Sequence, residues 1–81
     1  MSKFNVGDCV TIQQTNYPVV LRDGPGYSYN YISIISPKEF GIILERKMGH
    51  GAITWIQLLV SNKKGWIPVS VLINVFEHNV Y

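Results

Sequence analysis

Chain reversals come at such short intervals in this sequence that no long helix fits between them. Turn-forming clusters stand at Val6-Gly-Asp, Asn16-Tyr-Pro, Asp23-Gly-Pro-Gly, Ser36-Pro-Lys, Met48-Gly-His-Gly and Ser61-Asn-Lys-Lys-Gly. The runs between them are rich in Val, Ile, Tyr and Trp, which suit the pleated, half-buried surface of a sheet. The spacing predicts an all-β fold, a small barrel of roughly five to seven short antiparallel strands with one short 3-10 turn. Its 81 residues have room for one core, so residues 1–81 read as a single domain.

Alternation assigns faces to these strands. In Cys9-Val-Thr-Ile-Gln, Val10 and Ile12 share one side while Cys9, Thr11 and Gln13 share the other. A second strand, Pro18-Val-Val-Leu-Arg, stops at the Gly-Pro-Gly corner. Phe40-Gly-Ile-Ile-Leu-Glu-Arg sets Phe40, Ile42 and Leu44 on one face. In the run from Ala52 to Val60, Ile56, Leu58 and Val60 oppose Trp55, Gln57 and Leu59. A tight loop at Ser61 to Lys64 leads into Gly65-Trp-Ile-Pro. Pro68 has no N–H to give a ladder, so that strand ends near it. Val69-Ser-Val-Leu then forms one tight turn before Ile73-Asn-Val-Phe resumes as an edge strand, and the tail from Glu77 to Tyr81 is expected to fray.

Charge and reactive groups narrow the function classes. A formal net charge of +2, from seven Lys and Arg against five acids, argues against nucleic acid as a partner. No apolar stretch has the length of a signal peptide or a membrane span, so a cytoplasmic location without membrane attachment is expected. The single cysteine, Cys9, has no internal disulfide partner and reads as a small buried hydrophobe. Cys9, His50 and His78 are the only candidates for nucleophile or base, and they fall on a strand, a turn and the tail. The acids Asp8, Asp23, Glu39, Glu45 and Glu77 are scattered. Neither a catalytic nor a metal-ligand spacing emerges, so no enzyme activity and no cofactor are expected.

The run Val20-Leu-Arg-Asp-Gly-Pro-Gly resembles the N-V-R-x-G-P-G signature that opens bacterial SH3 domains, which occur in many cell-wall and peptidase-associated proteins. The resemblance continues in order. Ser36-Pro-Lys is similar to the turn before that family's next strand, Thr54-Trp-Ile-Gln-Leu to its W-x-x-V strand, and Lys64-Gly-Trp-Ile-Pro to its G-W-V strand. Together these span about residues 17 to 72, leaving 73 to 81 as a terminal strand and tail. The resemblance implies an SH3-like barrel that binds a peptide or protein without catalysis, with cell-wall peptides as the family's ligands. The absence of a leader argues against that compartment. Physically, Gly24 and Gly26 allow a tight corner while Pro25 fixes its own φ.

The ending Gly65-Trp-Ile-Pro-x-x-x-Leu also looks like eukaryotic SH3 domains, whose aromatic groove holds polyproline ligands. Trp55 stands at the spacing of their groove tryptophan and Pro68 matches their groove proline. Val71 replaces a ligand-contacting tyrosine, Ser70 replaces an asparagine, and the A-L-Y-D-Y strand has no counterpart, which argues against proline-rich peptides.

The candidate site follows. Trp55, Tyr27, Tyr29 and Trp66 form an aromatic floor with Pro68, Arg22 and Asp23 add polar specificity, and the loop from Arg46 to Gly51 makes a rim. By parity Trp55 points away from Ile56 and Leu58, toward solvent. Set against this, Tyr27, Tyr29 and Tyr31 could simply cover the loop and barrel end, and Trp66 could pack on the barrel. Two other functions compete. A small assembly or adaptor subunit could dock through its terminal strand. An RNA-binding barrel of the KOW type is suggested faintly by Phe4-Asn-Val-Gly-Asp-Cys-Val.

Overall fold

A computed structural model describes residues 4–12, 18–37 and 39–74. The chain forms β1 (Cys9–Ile12), β2 (Val19–Arg22), β3 (Tyr31–Ile35), β4 (Phe40–Met48), β5 (Thr54–Val60), β6 (Lys63–Pro68) and β7 (Leu72–Asn74). Single 3-10 turns lie at His50–Ala52 and Val69–Val71. All strand pairs are antiparallel in one seven-stranded sheet of order β3-β2-β6-β5-β4-β1-β7, which curls into a half-barrel. No helix is long and apolar enough to cross a membrane.

The alternation read from sequence holds in the core. Val10, Ile12, Ile56, Leu58 and Val60 are all buried in one cluster with Leu21, Ile43, Ile67 and Leu72. Register explains the packing. Leu58 lies between Ile43 of β4 and Gly65 of β6, and Ile56 faces Ile67. Phe40, Ile42 and Leu44 do share a face, and it is the outer one, where all three are exposed. Cys9 differs from its expected burial: it is half-buried because it lies on this outer side, opposite Ile42.

The turns account for other departures. The strand begun at Ala52 in the sequence reading starts at Thr54, because Gly51 (φ 74°) and Ala52 (φ 58°) hold left-handed backbone that no strand adopts. The β5–β6 connection is two residues long, Ser61 (φ 51°) and Asn62 (φ 64°), with Val60 opposite Lys63. Two successive positive φ angles match the right-handed twist of the flanking strands. Tyr31, one of the three tyrosines weighed as loop cover, opens a strand, Tyr31–Ile35, that pairs with β2 from Val19↔Ile35 to Arg22↔Tyr31 and to which the sequence reading assigned no element. The expected turn before the last strand is present at Val69–Val71. That strand runs Leu72–Asn74; its expected continuation to Phe76, the tail, Gln13, His78 and the Asn16-Tyr17 part of a predicted turn lie outside the described residues.

Glu39 ties two turns together. Its Oε2 accepts the Ser36 backbone N–H at 2.7 Å and its Oε1 accepts the Ser61 hydroxyl at 2.7 Å, joining the β3–β4 and β5–β6 connections. These bonds, first the backbone one, hold the Glu39 carboxyl below its ordinary value of 4.5, with Lys63 adding to the effect. A depressed carboxyl contributes stability above its unfolded pKa and loses it as pH falls through the folded value. Glu39→Gln is therefore expected to flatten the acid limb of a stability-versus-pH curve below about pH 4.5, read by urea midpoints at several pH values. In the core, Leu58→Ala is expected to cost about 2–5 kcal/mol in the same assay. An Ala variant melting like the parent would mean that the cluster around Leu58 is not the core.

Candidate functional site

The site grows out of the corner that ends β2. Asp23 N–H donates to the Asn30 carbonyl at 2.9 Å, and Gly26 N–H to that of Gly24 at 2.9 Å, closing a compact loop. Gly24 is required there, since a Cβ would run into the ring of Tyr29. Arg22 holds the loop down: its Nη1 donates to the carbonyls of Tyr27 at 3.1 Å and Tyr29 at 2.8 Å. The guanidinium carbon also lies 5.5 Å from the Tyr27 ring centroid, within cation–π range.

This corner changes the role of Trp55. Parity does turn its side chain to the outer face, in register with Lys47 and Pro68 and outside the core cluster. Yet Trp55 is 0% exposed. The corner loop folds over it, with the Tyr27 ring meeting the indole edge-on at 4.9 Å and 75°. From the other side Gly49 presses in, where a Cβ would collide with the Pro25 carbonyl and stand 2.8 Å from Trp55 Nε1. Strand alternation identifies a face but says nothing of a loop from elsewhere in the chain. The expectation of a solvent-facing Trp55 is thereby corrected. Its Nε1–H is buried with no hydrogen-bond partner among the described residues. Such an orphan donor ordinarily costs about 1–3 kcal/mol, so the surrounding apolar contacts must outweigh it. Trp66, 7% exposed and in register with Gln57 and Arg22, packs on the sheet as well.

A groove of about 250 Å³ lies between β2 and the Val69–Val71 turn among the described residues. Arg22, Tyr27 and Pro68 line it, three of the side chains singled out from sequence. Asp23, Tyr29, Trp55 and Trp66 do not. The expected rim is elsewhere too: Arg46 and Lys47 belong to β4, and Arg46 Nη1 donates to the Phe4 carbonyl at 3.0 Å. Five lining residues were not among the candidate site residues: Pro18, Val19, Val20, Ser70 and Val71. Val20 could have been found, because it shares the outward parity of Arg22 on β2. Ser70 and Val71 were weighed in the sequence and set aside, because a serine and a valine stand there in place of the asparagine and tyrosine of the compared groove.

Among the described residues no three His, Cys, Asp or Glu side chains are grouped to hold a metal. No family model, curated protein or solved structure matches this chain.

Removing the indole should therefore be severe. Trp55→Ala is expected to cost about 3–5 kcal/mol, and Gly49→Ala about 1–3 kcal/mol through overpacking against Pro25. Urea unfolding measures both. A Trp55→Ala midpoint equal to the parent's would return that residue to the surface and leave the corner loop without its anchor.

Proposed function

We propose that this domain is a non-catalytic binding module that seats a peptide segment of a partner protein in the groove between β2 and the Val69–Val71 turn. One observation carries the reading: an open groove with an apolar lining, Pro18, Val20, Pro68 and Val71, set beside one arginine and one tyrosine. Its volume of about 250 Å³ is below the usual range for small-molecule pockets, about 300–1,000 Å³, and suits one or two side chains of a bound segment. Tyr27 is 61% exposed even while its ring edge covers Trp55, so its ring and hydroxyl remain available at the groove. The motif resemblance to bacterial SH3 domains points the same way, with cell-wall peptides as one ligand class that it suggests. The net charge of +2 gives nucleic acid little to hold.

A second reading, an assembly or adaptor subunit, is favoured by the other side of the sheet. Cys9, Ile42 and Leu59 align across β1, β4 and β5 on the outer face, flanked by Phe40 at 62% exposure. Such a row of apolar groups is a docking surface in many complexes.

The two separate by mapping. Peptides selected from a displayed random library against the immobilised domain are titrated into labelled protein. The groove reading expects amide shifts at Val20, Arg22, Ser70 and Val71. Shifts confined to Cys9, Ile42 and Leu59 would instead favour the assembly surface.

A further inference from the structure

The groove has a sign, and this bears on what it binds. Arg22 is the one charged residue of its lining. The guanidinium carries five N–H donors in a rigid fork. Nη1 spends its pair on the Tyr27 and Tyr29 carbonyls, and no bond involves Nε or Nη2 among the described residues. No carboxylate pairs with Arg22 among them either. A half-buried cation without a counter-charge, already immobilised by two carbonyls and a ring, loses little freedom when it takes an anion. Its unused Nε–Nη2 edge offers the side-on geometry that suits the two oxygens of a carboxylate.

Resting on the binding-module reading, we infer that the groove takes an acidic peptide segment, in which an Asp or Glu side chain pairs with Arg22 and a neighbouring apolar side chain fills the space between Val20, Pro68 and Val71. A side-chain carboxylate fits better than a chain terminus. Terminal carboxylates are usually captured by successive free backbone N–H groups. Here the backbone beside the guanidinium has partners on both sides, Arg22 being paired with Tyr31 of β3 and Trp66 of β6. The polarity is opposite to that of a groove built from acidic residues, so basic peptides are disfavoured.

Four pools of short peptides test this by titration into labelled protein. Each has mixed Ala, Val and Pro around a central Glu, Gln or Lys with amidated ends, and a fourth has central Gln with a free C-terminus. The Glu pool is expected to bind about tenfold more tightly than the Gln pool, as befits a charged hydrogen bond, and to shift the Val20, Arg22, Ser70 and Val71 amides. Arg22→Gln should erase the difference. Because that change also frees two loop carbonyls, Ser70→Asp is made in parallel. Ser70 is exposed on the other wall of the groove, so an added carboxylate there should weaken the Glu pool about tenfold and leave the melting temperature unchanged. Equal binding of the Gln pool, or tighter binding of the Lys or free-terminus pool, at the same amides overturns the acidic inference and leaves the groove standing. Shifts by no pool at those amides overturn both.

Discussion

A tryptophan on the wrong side of the sheet governs this molecule. Trp55 faces outward, where a curled sheet of so few residues has nothing to bury it, and the chain answers by folding the β2–β3 corner across it. Every unusual residue of that corner serves the cover. Gly24 makes room for Tyr29, Gly49 lets the β4–β5 connection close on Pro25, and Arg22 gathers two carbonyls that would otherwise splay the loop. The domain thus has two apolar layers, the core within the curl and a smaller one outside it.

The same contacts shape the groove. Tyr27 covers the indole and, with Arg22, forms one wall of the groove, so under the proposed function stability and recognition share residues. A groove wall fixed in this way is ordered by the fold itself. The opposite wall, Pro68 to Val71, is rigid for a different reason: the proline ends β6, and the chain passes through a single 3-10 turn straight into β7.

Much of the fold was legible because local chemistry and tertiary packing agree. Gly, Pro and Asn mark the reversals, and the alternation through Val10, Ile12, Ile56, Leu58 and Val60 marks the core. The strand Tyr31–Ile35 went unassigned since Tyr31 follows two other tyrosines in alternate positions and grouped with them as loop cover. Its β-branched residues carried the strand signal nonetheless. The site was legible only in part. Arg22, Tyr27 and Pro68 announce themselves by type, whereas Val20, Ser70 and Val71 matter by placement alone. Trp55 and Trp66 drew the eye as large aromatics, but whether such a ring is covered depends on contacts made by residues far away in the chain. Single-strand parity cannot supply that.

One optical consequence follows from the hidden indoles. The domain's two tryptophans are both shielded from water, and the Trp55 ring sits against a tyrosine. Their fluorescence is accordingly a gauge of whether the corner is latched. Emission should move to the red only when the loop lifts or the sheet opens, while occupancy of the neighbouring trough registers mainly through the phenol of Tyr27.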